Sequence, residues 1–285
     1  GSTTSVRGKA PEGMTRLENG ELLADALESN PLEWLGPAHL ERFGHDSMLL
    51  VKLLDAGQRL PVHAHPDGEF AATHVSALHG KAEAWFILSP GTVYLSLTRD
   101  LSDAELQSFV ETQNIDALLS LMHEITVEPG DCIFVPHGVL HAIGAGILLA
   151  EVQEPEDLSI LLEWENFDLD GEKDGHLGLG FDLALTAVER TERSEENVEA
   201  LIQRRVTQGN SLPPEASRFF RLDKVEEREH FDAGFGIVIA LNESVQLTTK
   251  GGNHQLAPGS TMLIPFSAGA FTLEGSALLA RPPLP

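Results

Sequence analysis

Three histidines and one glutamate, carried on short strand-like segments between glycine and proline turns, restrict this chain more than any other feature. His63 and His65 lie in LPVHAHPD, Glu83 in GKAEAWF and His141 in PGDCIFVPHGVLHAIG. Alternate residues of a strand share a face. His63 and His65, two apart, therefore reach one ion together, and Glu83 and His141 must arrive on neighbouring strands with the same inward phase. A β-sandwich or barrel of many short strands supplies that arrangement.

The rest of the chain reads in the same idiom. ENGELLADALESNPLEWLG predicts a short helix ended at the Asn30-Pro31 step. HDSMLLVKLLDAGQRLPVHAHP predicts two strands about a turn at Ala56-Gly57, and AEAWFILS and GTVYLSLT two more about Pro90-Gly91. A helical insert follows at about 101–124, opened by the capping-box pair Ser102 and Glu105. Strands return through HEITVEPGDCIFVPHGVLHAIGAGILLAEVQ. The stretch from Phe181 to Val206, rich in charges of both signs, predicts a solvated helix, and GNSLPPEAS a linker. The tail is strand-like again and repeats a layout: Pro258-Gly259-x5-Pro265 echoes Pro129-Gly130-x5-Pro136. The position equivalent to His141 is Ala270, so the second copy keeps the turn and lacks that ligand.

Composition narrows the partners. The 285 residues carry 44 acids against 19 bases, a net charge of −25. Nucleic-acid binding needs clustered Lys and Arg, so that class is not expected. Anionic substrates would need a local basic pocket to overcome the global field. The single cysteine, Cys132, excludes an internal disulfide and sits in an apolar run, where a buried inert thiol is expected. No apolar run is long enough to span a bilayer and no signal peptide opens the chain, so a cytoplasmic protein with no membrane partner is expected. Oligomeric state stays open.

Histidine alone in a strand is by default a hydrogen-bonded core or surface group, and His39, His45, His123, His230 and His254 are read that way. The His63, His65, Glu83 and His141 set is read as metal ligands because the spacings match a motif. Gly57-x5-His63-x-His65 resembles the first half of the first cupin motif. Gly130-x5-Pro136-x-Gly138-x2-His141 resembles the second up to its histidine. Mixed nitrogen and oxygen ligation suits one divalent metal ion and leaves zinc, manganese, iron, cobalt and nickel open; the preference for zinc comes mainly from the family resemblance that follows. His137, beside the motif, could stand behind the ligands or on the surface.

The long gap from His65 to Glu83, with its flanks, resembles type I phosphomannose isomerase (mannose-6-phosphate isomerase). HAHPD, GKAEAWF, PHGVLHAIG and LLAEVQEPEDLS parallel that family's Q-x-H-P-D, G-K-[TS]-E-x-W, P-x-G-x-x-H-A-[IY] and Glu-bearing strand, closely over about residues 45–160. The resemblance implies a mainly β bicupin, two jelly-roll barrels with short helical insertions. Residues 1–180 are expected to form a metal-binding unit, 181–215 a helical segment and linker, and 216–285 a degenerate unit without ligands. It also implies metal ligation by His65, Glu83 and His141, with His63 where the family has glutamine. Lys81 and Glu151 match catalytic positions, and Lys52 and Asp157 match substrate-binding ones. Leu161 stands where the family has an arginine serving the active site and the substrate phosphate, and leucine cannot make a bidentate phosphate clamp. The family often carries W-x-G-S near its start, so GSTTS is expected to continue a native upstream segment, although Gly1-Ser2 also reads as a cloning scar.

The activity this resemblance implies is aldose–ketose isomerisation of mannose 6-phosphate and fructose 6-phosphate, or of a related sugar, through an enediol(ate). Two readings stay beside it: a metal-dependent cupin dioxygenase and a non-catalytic sugar-binding cupin.

Overall fold

The computed structural model describes residues 3–4 and 14–285; apart from the backbone of Thr3–Thr4, the GSTTS segment lies outside them. Two compact units are present. One comprises Leu54–Glu151 with Glu156–Ile202; the other takes the described residues up to Leu53, Val152–Pro155 and Gln203–Pro285.

The first of these units is built on a five-stranded antiparallel sheet. Its spatial order is Ile160–Leu161, His63–Ala64, His141–Ile143, Gly91–Leu97 and Met122–Val127. Strand alternation then divides the residues. Val62, Ala64, Leu140 and Ala142 face a core completed by Leu106, Val110 and Leu118 of the helical insert. The intervening His63, His65 and His141 are left for the opposite face. The insert forms two helices, Asp103–Thr112 and Ile115–Leu119, and the first opens on a complete capping box. Ser102 Oγ accepts from the Glu105 N–H, and Glu105 accepts from the Ser102 N–H. In a second sheet Leu148–Gln153, Glu83–Ile87 and Cys132–Val135 are neighbours, with Glu83 paired to Val135. Gly130, with φ of 92°, makes the tight turn before Cys132–Val135 at a conformation that favours glycine.

In the other unit two antiparallel sheets enclose an apolar core that includes Phe231, Val238, Leu247, Phe271 and Leu279. One sheet runs Gly209–Asn210, Arg221–Val225, Ala277–Arg281, Gly236–Ala240 and Thr261–Ile264; the other runs Glu229–Phe231, Phe271–Glu274, Val245–Thr249 and Gly252–Leu256. The echoed motif folds alike in both places. Strands Thr261–Ile264 and Phe271–Glu274 occupy the motif positions that Cys132–Val135 and His141–Ile143 occupy in the ligand-bearing unit. Ala270, the equivalent of His141, is exposed. The mainly β, cupin-type architecture is as expected.

Two expectations are corrected. The Phe181–Val206 stretch is not one helix. It holds a four-residue helix at Phe181–Ala184, a 3-10 turn at Leu185–Ala187 and a helix at Glu195–Glu199, followed by the strand Ile202–Gln203. The segment between the helices spends its backbone hydrogen bonds elsewhere: Glu189 N–H on Gly138 O, Arg193 N–H on Leu97 O, and Arg190 O accepting from Leu101. Backbone groups engaged with other segments in this way are not available to a helix. GNSLPPEAS, likewise, is not a free linker. Gly209–Asn210 pairs with Asp223 and Lys224, Pro214–Arg218 is a 3-10 turn, and Ser211 and Leu212 are buried.

Candidate metal centre

The local sequence puts His63 and His141 on adjacent strands, with His65 just past the end of the first. His63 is the register partner of His141, which is in turn the partner of Leu95. Beyond Leu95 the sheet carries a β-bulge at Ser96, whose φ is 60°. Bulges recur beside functional sites, where they re-aim the strand. The ring centroids of His63 and His141 are 4.1 Å apart, and each lies 4.8 Å from that of His65.

Each histidine is oriented by a backbone carbonyl. His63 Nδ1 donates to Pro61 O at 2.7 Å, His141 Nδ1 to Val139 O at 2.8 Å and His65 Nδ1 to Leu158 O at 2.7 Å. A ring nitrogen beside a carbonyl must carry the hydrogen, so all three Nε2 atoms present lone pairs to one another. His63 Nε2 and His141 Nε2 are 3.0 Å apart. Glu83, on the neighbouring sheet, brings Oε2 to 3.2 Å from His65 Nε2 and Oε1 to 3.4 Å from His141 Nε2. Trp85, two residues on and on the same strand face, donates its indole N–H to Glu83 Oε1 at 2.9 Å. Lys81 Nζ lies 2.9 Å from Glu83 Oε2 and 3.0 Å from His65 Nε2.

The electrostatics of this cluster favour neutral imidazoles and an ionised carboxylate. Burial, helped by Lys81, pushes His65 down to about 3, and burial likewise pushes His141 to about 3. Burial, then His141 and Lys81, hold His63 well below the ordinary imidazole range. For Glu83 burial acts upward, but Lys81, His65 and His141 outweigh it and hold the carboxyl well below its usual range.

The donor set fits a divalent cation. Facing lone pairs on unprotonated rings repel, and only a proton or a cation between them relieves this; the depressed basicity disfavours the proton. Glu83 Oε2 is fully buried and makes no hydrogen bond of good geometry despite the nearby ammonium, leaving an oxygen for a ligand. His63, His65 and His141 form a group suited to hold a metal ion, and no second such group occurs among the described residues.

Of the residues singled out from the sequence, the structure gathers His63, His65, Glu83, His141 and Lys81. Glu151 is buried on Leu148–Gln153, the strand beside Glu83–Ile87. Asp157 is exposed, next to the Leu158 carbonyl that orients His65. Lys52 is half-buried on Leu50–Asp55 and falls in the other compact unit. His137 lines a cavity of about 270 Å³ with Asp67, Phe70, Gly138 and Thr186–Glu189. Cys132 is buried, which pushes its thiol up and leaves it inert. His39 and His123 are ordinary bonded histidines, on Asp46 O and Arg193 O.

Sequence reasoning missed Trp85, although its i+2 spacing from Glu83 carried the signal. It also missed the Arg59–Glu163 pair. There Arg59 donates to both carboxylate oxygens, at 2.6 and 2.5 Å, and Glu163 also accepts the Val62 N–H. Nothing local in the sequence marks two residues so far apart as partners.

No protein-family model matches the chain. Curated relatives exist. Mannose-6-phosphate isomerase of Streptococcus mutans is 35% identical over 153 residues, which is 52% of this chain and 46% of that protein. Mannose-6-phosphate isomerase ManA of Bacillus subtilis is 28% identical over 236 residues, 80% of this chain and 72% of that protein. The chain thus matches less than half the length of the streptococcal relative. Among solved structures, mannose 6-phosphate isomerase from Salmonella typhimurium in its apo form superposes with a TM-score of 0.74 at 16% identity, covering 97% of this chain and 90% of that one. The Bacillus subtilis mannose 6-phosphate isomerase structure gives 0.73 at 20%, covering 98% and 88%. The resemblance carried by the motifs is borne out: the relatives and the fold are those of mannose-6-phosphate isomerases.

Proposed function

We propose that this chain, a relative of the mannose-6-phosphate isomerases, is a cytoplasmic metal-dependent aldose–ketose isomerase. In this reading it interconverts mannose 6-phosphate and fructose 6-phosphate, or a related sugar pair, through an enediol(ate). One observation carries the reading: three neutral, carbonyl-oriented imidazoles and an ionised carboxylate converge in a buried cluster beside a buried lysine.

His63, His65, Glu83 and His141 would hold one divalent ion, zinc in this reading. When bound, such an ion polarises a sugar carbonyl or hydroxyl as a Lewis acid. The chain's own residues supply the rest. Lys81 is buried with its Nζ aimed at the ligand cluster, suited to donate to oxygen as negative charge develops there. Glu151 is assigned the proton transfer between C1 and C2, the work of a general base that returns the proton it takes. Trp85 holds Glu83 through its indole N–H and packs against His141, with centroids 5.5 Å apart. It fixes the carboxylate and keeps water away. Lys52 and Asp157 are assigned to binding the sugar.

Isomerisation of this kind moves a proton between carbons, so solvent deuterium should enter the product at C1 or C2. Metal-loaded protein incubated with sugars in heavy water, followed by NMR, should reveal it. His141→Ala should lose both the bound metal, by elemental analysis, and at least ~100-fold of the exchange rate, in line with the loss of a general acid–base or Lewis-acid contribution. Exchange undiminished in that variant would end the metal-dependent reading.

A further inference from the structure

In the unit without the ligand cluster, Gly236 stands where the ligand-bearing unit has Glu83. Glu83 is the register partner of Val135 and Gly236 that of Ile264, and Val135 and Ile264 each precede the last proline of the echoed motif. The place of the carboxylate is thus a glycine, and the Arg281 side chain passes over it: a Cβ added at Gly236 would come 3.4 Å from Arg281 Cγ. Arg281 is the register partner of Arg221, and strand alternation puts both on the face that carries Leu279, between the two sheets. Arg221 and Arg281 also line one cavity of about 210 Å³, whose other walls include Leu35, Phe235, Phe266 and the Pro282–Pro285 segment. Where one unit gathers groups for a cation, the other gathers cations. We propose that Arg221 and Arg281 form a binding site for a small oxyanion, a carboxylate or phosphate group on a small molecule.

Charge and hydrogen bonding carry the assignment. Like charges directly opposed in an antiparallel pair repel, and one carboxylate offsets the two guanidinium groups. Asp223 accepts from Arg281 Nη2 at 2.7 Å. The Phe231 ring, 5.0 Å from the Arg281 guanidinium, fixes that group from one side. Arg281 Nε is fully buried and has no hydrogen-bond partner. Arg221 spends its Nε–H on Pro282 O at 2.7 Å, and its Nη groups make no hydrogen bond among the described residues. A guanidinium with free N–H groups is a planar fork that matches a carboxylate or a phosphate, and burial strengthens the pairing. Burial, then Arg281, pushes Arg221 down to about 10, so it stays charged at neutral pH with its repulsion unrelieved. Asp232, the acid lining the cavity, is exposed and pairs with neither arginine, and water and salt screen its charge. The apolar walls suit the carbon body of a ligand whose charged end the arginines hold.

The test titrates the full chain, metal-free and metal-loaded, with inorganic phosphate, acetate and benzoate by calorimetry, in buffer free of other oxyanions. Saturable binding of at least one probe is expected, equal with and without metal. Arg221→Gln should weaken it at least ~10-fold through the loss of one charge-assisted pair. Tighter phosphate or tighter carboxylate each supports the site and tells which group it takes, and benzoate binding above acetate shows the apolar walls in use. Asp223→Asn removes the carboxylate that competes for Arg281 and should tighten binding, a gain that a damaged fold does not give. Failure of all three probes to bind, binding that appears only with metal present, or binding unchanged in Arg221→Gln overturns the proposal, as does weaker binding in Asp223→Asn.

Discussion

His63, His65 and His141 owe their state to three carbonyls. Pro61 and Val139 each sit two residues before the histidine they orient, and Leu158 reaches His65 from the segment just before the strand Ile160–Leu161. This fixes the tautomers and buries the rings, so their basicity falls below the ordinary value of 6.5, to about 3 for His65 and His141. The sign of the pH dependence follows. A group with a folded pKa below its unfolded value takes up protons more readily when unfolded, so its contribution to stability is present above pH 6.5 and is lost as pH falls towards the folded value. Metal-free protein should therefore lose thermal stability progressively as pH falls from about 6.5 towards 3; a midpoint that rises on acidification over this window would contradict the tautomer assignment. Substitution at His63 tests the ligand set at the same scale. His63→Gln keeps a ligating oxygen and should retain the metal with lowered affinity. His63→Ala should lose more, by titration against a competing chelator.

Gly80 shows how the elements hold the cluster. A Cβ added there would come within 2.5 Å of Pro66 O and 2.6 Å of Asp67 C, both backbone atoms. That close approach lets Lys81 N–H bond Pro66 O at 3.1 Å, tying the segment after His65 to the one before Glu83. Gly80→Ala should cost about 1–3 kcal/mol, the usual range for forced overpacking, by urea denaturation, and should lower metal affinity as well. Ser102→Ala serves as the contrast. It removes a cap on the insert helix and should cost about 1 kcal/mol with metal binding unchanged. The insert's helices were legible because capping and periodicity are local. The Phe181–Val206 stretch was misread because its charges resemble a helix surface, while its backbone hydrogen bonds go to Gly138, Leu97 and Leu101.

At the scale of the molecule, the net charge of −25 sets the field in which the site works. Like charges in excess repel one another in the compact state, and salt screens them over about 10 Å at 0.1 M. The melting temperature should rise as sodium chloride is added from low ionic strength; a fall would mean that the ion pairs, such as Arg59–Glu163, outweigh the repulsion. Among the described residues no helix is long and apolar enough to cross a membrane.

The sequence by itself determined the β architecture, the four ligand-type residues and their shared phase, because strand alternation and glycine–proline turns are local properties read at fixed spacing. The echo of Pro129-Gly130 at Pro258-Gly259, with Ala270 for His141, was legible for the same reason. Tertiary structure decided what spacing cannot encode. It set which ring nitrogen faces inward, through carbonyls such as Leu158, 93 residues from His65. It engaged Arg59 with Glu163 across 104 residues. Hydrogen-bond partners and burial are long-range outcomes of packing, and the chemistry of the site depends on both.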